Sequence, residues 1–180
     1  MRFTALLSIA VLAGCSEGPL EYVQVQPIPN LIEAGFDAPR RWTRLVTPEP
    51  EHQGAWAVEL QPPDRPPVSI RIEKYSLSEN PAGIPVLTPQ ELWGRIRDLP
   101  GVRLEPDRRS QEGRMHFIRL PYERYRVEAP DGPGSANLRG EAAYCTEKGF
   151  LYAILYDAPA DEFDRYFPVY ERVLATFRVD

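Results

Sequence analysis

The sequence predicts an α+β fold, an antiparallel sheet with helices laid against it, and three observations carry that expectation. Val68, Ile70 and Ile72 alternate with Ser69, Arg71 and Glu73, the period-two signature of a strand with one wet face. Phe150-Leu151-Tyr152-Ala153-Ile154-Leu155-Tyr156 is an unbroken apolar run, as expected of a central strand covered on both sides. Phe163, Phe167, Tyr170, Leu174 and Phe177 recur at alternating spacings of four and three, which is one face of a helix. A helix with such a stripe must bury it, and a sheet beneath it makes an α+β sandwich.

The totals set the frame. A chain of 180 residues has room for one domain with an anchor and a linker. Apolar content of 43% and charged content of 26% argue against wholesale disorder. A net charge of −5 gives no electrostatic case for nucleic acid as a partner. Only Lys74 and Lys148 are lysines among 21 basic residues, and 20 residues are proline. Arginine forks suit carboxylates and phosphates, but a skewed genomic composition accounts for the bias more simply.

The chain opens on Met1-Arg2, a short positive start, followed by an apolar run over 3–12 that is too short to span a bilayer. Together they predict a secretory signal. Leu12-Ala13-Gly14-Cys15 then resembles the bacterial lipobox at all four positions. That resemblance implies cleavage before Cys15, a diacylglyceryl group on its sulfur and acylation of the new amino group. Each buried methylene contributes about 0.8 kcal/mol, so two or three chains hold a protein on a membrane for long times. Ser16, where Asp would retain a Gram-negative lipoprotein in the inner membrane, implies sorting to the outer membrane, facing the periplasm. Gly18-Pro19, Pro27 and Pro29 make the next stretch turn-rich. The expected organisation is a signal peptide over 1–14, lipidated Cys15 with a flexible tether over 15–30, and one domain over 31–180. Gly14-Cys15-Ser16-Glu17-Gly18 also fits the G-x-S-x-G nucleophile elbow, but no strand precedes it and the cut removes its first glycine.

Within the domain, 55–60 and 68–75 read as paired strands, and the proline-rich run 61–67 between them as a stiff hairpin loop. Thr88-Pro89-Gln90-Glu91 combines a Thr cap, Pro at the first helical position and Glu three residues after the cap. Leu92, Ile96 and Leu99 of this helix are expected to face a sheet, with Arg95 and Asp98 in solvent. Strands are expected at 102–104, 114–121 and 123–128, then a loop over 129–135. Segments 139–146 and 149–156 read as a hairpin around Glu147-Lys148-Gly149, with a residue at positive φ. The last helix is expected to open at Pro159, with Asp161 and Glu162 in its first turn. Pro168 is expected to kink that helix without ending it.

Gly149-Phe150-Leu151-Tyr152, Tyr156, Ala158-Pro159, Phe163, Phe167-Pro168, Tyr170-Glu171, Val173-Leu174 and Thr176-Phe177-Arg178 resemble the C-terminal pattern of PsbP-like proteins. The likeness extends over about residues 36–180. It implies an antiparallel sheet with helices packed on both faces, a PsbP-like α/β/α sandwich. These are mostly core residues, so the likeness implies no functional residue, and no pigment or metal association is carried over.

The search for chemistry finds no catalytic residue, metal ligand or cofactor motif. Glu49-Pro50-Glu51-His52 crowds its ligands around a proline and cannot easily converge on one ion. His116 falls in a strand pattern and is expected to be hydrogen-bonded there. Cys145, left alone once Cys15 is lipidated, is expected as a small buried hydrophobe. Gly132-Pro133-Gly134-Ser135 lacks the N–H groups and the Lys of a phosphate loop. Arg119, Tyr122, Arg124, Tyr125 and Arg126 alternate along one strand and are the candidate partner-binding surface. The expected function is a membrane-tethered, non-catalytic envelope module that binds or scaffolds another envelope protein and touches lipid through Cys15. An envelope hydrolase acting on glycan through two carboxyl groups and a small-ligand carrier stand as alternatives.

Overall fold

The computed structural model describes residues 20–27, 33–48, 56–63, 68–79, 84–128 and 135–179. The signal and lipobox, the 49–52 run, part of the 61–67 loop and most of the 129–135 loop lie outside the described residues. In chain order come β1 (Tyr22–Val25), β2 (Ala34–Pro39), β3 (Thr43–Pro48), β4 (Trp56–Gln61), β5 (Ser69–Ser76) and helix α1 (Pro89–Arg97). Next are β6 (Val102–Leu104), β7 (Arg108–Glu112), β8 (Met115–Glu128), β9 (Ser135–Glu147) and β10 (Phe150–Pro159). Helix α2 (Phe163–Thr176) and β11 (Arg178–Val179) follow. Every ladder between these strands is antiparallel. The main sheet runs β3-β4-β5-β10-β9-β8-β6, with β7 also paired to β8, and a smaller sheet runs β1-β2-β11.

Local chemistry explains the ladders. In β5, Ile70, Ile72, Lys74 and Ser76 are buried while the residues between them are half-exposed. The β9–β10 hairpin closes on Lys148 (φ 52°) and Gly149 (φ 83°), with Glu147 opposite Phe150. Two central residues at positive φ match the right-handed twist of the strands they join. The two strands expected at 114–121 and 123–128 are one continuous strand, β8. Pro121 does not break it, because its carbonyl accepts from Glu105 N–H at 3.0 Å on the outer edge of β8. The missing N–H points to the same edge, in the gap between β6, which reaches Tyr122, and β7, which begins opposite Arg119.

Helix α1 is capped as its sequence predicts, whereas Glu162 at the start of α2 makes no side-chain capping bond. Thr88 accepts from Glu91 N–H, and Glu91 accepts from Thr88 N–H at 2.7 Å, a complete capping box. Leu92 and Ile96 are buried, Leu99 is half-buried, and Arg95 and Asp98 are exposed. Helix α2 begins at Phe163 rather than at Pro159, which pairs with Leu138 at the end of β10. It continues through Pro168, whose ring lies on the exposed side. Its buried face is wider than the expected stripe, adding Tyr166, Val169 and Val173, while Phe167 is half-buried. The extra width is covered by Ala34, Phe36 and Ala38 of β2, all at 0% exposure. Asp37 N–H donates to Thr176 Oγ1 at 2.8 Å and Arg172 reaches Asp37 at 2.6 Å, clamping β2 to α2.

Alternate residues of β9 and β10 divide between two apolar clusters. Ala143, Cys145, Tyr152, Ile154 and Tyr156 join Tyr170, Val173 and Leu174 of α2. Ala142, Tyr144, Leu151 and Ala153 join Leu92 and Ile96 of α1. The architecture is a sheet-dominant α+β fold. Tyr22–Val25, inside the expected tether, is a strand paired with β2, so the folded chain begins earlier than expected.

Candidate functional site

Strand β8 carries the candidate residues, and its alternation separates them. Arg119 lies on the side of Phe117, and Tyr122 on the side of Leu120. Arg119 is 3% exposed and is met by three carboxylates. Its Nε donates to Glu141, its Nη2 donates to Glu171, and its Nη1 donates to Glu112 at 3.3 Å. Arg108 donates to the second Glu141 oxygen at 2.8 Å. The guanidinium also stands 5.6 Å from the Tyr170 ring centre. Burial pulls the Arg119 pKa down, but the Glu171 hydrogen bond and the Glu141 charge lift it above its ordinary value. Arg119 is thus an internal ion-pair hub, and the partner surface expected of it is corrected on that ground.

Tyr122 is equally committed. It is 2% exposed, and its hydroxyl donates to Asp157 Oδ1 at 2.8 Å. Its ring occupies the space above Gly140, its partner across the β8–β9 ladder, where a Cβ would stand 2.3 Å from the ring. Burial raises the Asp157 carboxyl, and the Tyr122 hydrogen bond and the Arg124 charge oppose that rise. This is one acid held by a donor and a cation, not two acids sharing a site. Arg124, the half-buried third candidate, has a buried Nε without a hydrogen-bond partner. For Tyr125 and Arg126 only the backbone is described, in a stretch of β8 where the register against β9 shifts.

The feature that sequence reasoning missed lies at the β7 edge. A cleft of about 720 Å³ opens there, with Ile118 and Tyr144 in its wall and Arg109, Gln111 and His116 exposed around it. Ser110, opposite Phe117 in the ladder, turns a buried Oγ without a hydrogen-bond partner to the other side of the sheet. His116 is exposed here rather than bonded within the strand layer. Cys145 also lines the cleft, but it is 2% exposed and burial pushes its thiol up to about 12. A thiol so placed is a packing residue and not a nucleophile. The signal for β7 was weak, because Arg108-Arg109-Ser110-Gln111-Glu112 has no apolar residue to reveal alternation. Among the described residues no group of three or more His, Cys, Asp or Glu could hold a metal ion. No described helix is long and apolar enough to cross a membrane.

The fold has solved counterparts. It is similar to cyanobacterial PsbP (CyanoP) from Synechocystis sp. PCC 6803, with a TM-score of 0.59 and 13% identity, over 94% of this chain and 99% of that one. At this identity the likeness establishes a PsbP-like fold and nothing about activity. LpqN of Mycobacterium tuberculosis, described as involved in cell envelope biogenesis, gives 0.49 at 15% identity, over 90% of this chain and 86% of that one. The Pseudomonas aeruginosa protein PA94 gives 0.47 at 13% identity, over 86% and 94%. No family model and no curated protein matches the sequence.

Proposed function

We propose that this chain is an exported lipoprotein, cleved before and lipidated on Cys15, whose folded part is a non-catalytic module that docks another envelope protein. We read the two apolar clusters as helices packed on both faces of the main sheet, which leaves the sheet edges as the places to bind. The observation that carries the docking reading is the conjunction at one edge: among the described residues β7 pairs with β8 and no other strand, and the open cleft beside it has an apolar wall of Ile118 and Tyr144 rimmed by exposed polar side chains. An extended segment added along β7 would gain backbone hydrogen bonds and place alternate side chains in the cleft. Arg109, Gln111 and His116 would select among such segments. Arg124 to Arg126 would lie farther along β8 as a secondary contact. A small-ligand carrier would want an enclosed cavity, whereas this cleft opens to solvent. The Ser16 position favours the periplasmic face of an outer membrane.

The test is site-specific crosslinking in cells. A photoreactive residue in place of Gln111 is expected to give one discrete protein adduct, absent when the same group replaces Arg95 on the exposed side of α1. An adduct pattern no different from that of the Arg95 position would remove the docking reading.

A further inference from the structure

The turn that joins β2 to β3 has an unusual build. Trp42 N–H donates to Pro39 C=O at 3.1 Å, closing a β-turn whose two central residues are Arg40 and Arg41. Central turn positions usually hold Gly, Asn, Asp or Pro for conformational reasons, and nothing in the backbone here requires arginine. The turn is rigidly placed: Trp42 is 5% exposed and packs edge-to-face on Tyr166 at 5.8 Å. Arg40, Arg41 and Arg44 are all exposed. The turn is also fastened to the segment that leads back toward Cys15. Arg40 N–H donates to Glu21 C=O at 2.7 Å, and the Arg40 side chain reaches Glu21 at 3.4 Å. That side-chain pair is exposed on both sides and worth little in water.

Chain length supplies the other half of the argument. Glu21 is the sixth residue after Cys15, and even a fully extended chain covers only about 22 Å over that distance. If Cys15 carries lipid, Glu21 cannot stand farther than that from the membrane surface, and the Arg40–Arg41 turn bonded to it lies within about 5 Å more. We propose that Arg40, Arg41 and Arg44 form a membrane-facing surface that binds anionic lipid headgroups and orients the domain on its tether. The proposal rests on the lipoprotein reading above. Its consequence is geometric: β3, which follows the turn, is one edge of the main sheet, and the β7 cleft lies at the other. Strands lie about 4.8 Å apart, so the docking edge would be carried roughly 30 Å from the lipid-facing edge.

The test uses the full lipidated chain in vesicles with a nitroxide on Thr43→Cys, an exposed position between Trp42 and Arg44. Buried Cys145, with its thiol pushed up to about 12, stays unlabelled at neutral pH. In phosphatidylcholine vesicles the label should be open to a water-soluble relaxation agent. Adding phosphatidylglycerol should reduce that access severalfold, and high salt should restore it. Arg40→Gln/Arg41→Gln/Arg44→Gln should abolish the lipid dependence without changing the melting temperature, each arginine contributing on the order of fivefold in surface partitioning. Equal access in both vesicle types, with the protein still attached, would overturn the headgroup surface and leave the anchor standing. A second nitroxide on Cys15, with no attachment to either vesicle, would overturn the anchor and this proposal with it.

Discussion

Arg119→Met is expected to destabilise the fold by about 3–5 kcal/mol in chemical denaturation, since removing one partner of a buried ion pair strands the other. Domains of this size are stable by only about 5–15 kcal/mol, so the change would consume a fifth or more of the total. The reason lies in unequal exposure. Glu171 and Glu112 have side chains 35% and 24% exposed and can turn toward water. Glu141 is 2% exposed and cannot, and it would be left with Arg108 alone. The second change Glu141→Leu on top of Arg119→Met should therefore recover about 1–3 kcal/mol, a coupling expected of residues in one network. Simple additivity of the two losses would show that the hub is not the structural unit described here.

Gly140→Ala should cost about 3 kcal/mol, from overpacking together with a lost hydrogen bond to a charged group. The added Cβ would meet the Tyr122 ring at 2.3 Å and its hydroxyl oxygen at 2.6 Å, so the ring must move off Asp157. The pH dependence has a definite sign. Burial already raises the Asp157 pKa, and losing the Tyr122 hydrogen bond, which lowers it, raises it further. A carboxyl whose folded pKa lies above its unfolded value binds its proton more tightly in the native state. Its contribution is fully present below the unfolded pKa and is lost as pH rises through the folded one. The deficit of Gly140→Ala against the parent should thus be smallest in acid and grow with rising pH. The same substitution at Gly94 in α1, where the nearest atom is 3.9 Å from the added Cβ, should stabilise by about 1 kcal/mol. A Gly140→Ala variant as stable as its parent would mean that Tyr122 is not held as described.

Much of the fold is legible in the sequence alone. The capping box at Thr88, the alternation in β5 and the β9–β10 hairpin depend on local chemistry that a short window contains. Other elements were not readable, for identifiable reasons. β1 and β11 span Tyr22–Val25 and Arg178–Val179, too short for a period to show, and they exist because β2 pairs with both. Helix α2 starts later than its sequence pattern predicts, because Pro159 satisfies a helix-opening rule yet ends a strand opposite Leu138.

The site was less readable than the fold. Arg119 looked like surface because arginine usually is. Yet it shares a side with Phe117, and Glu141 of the neighbouring strand shares a side with Ala143 and Cys145. Opposite charges at inward positions on adjacent strands are the signal that would have marked the pair. Tyr122 deceived differently, since β8 is covered on both sides and its alternation does not separate inside from outside. The β7 cleft is made by three strands meeting and has no sequence pattern of its own.

Both the docking edge and the arginine turn take their orientation toward the membrane from Cys15. The direct measurement is the intact mass of the protein extracted from cell membranes, with fragmentation of its N-terminal peptide. The expected result is a chain beginning at Cys15 that carries a diacylglyceryl group, and a Cys15→Ala chain that is neither cleaved there nor retained through lipid. A membrane-extracted chain with an unmodified Cys15, or one cut elsewhere, would contradict it.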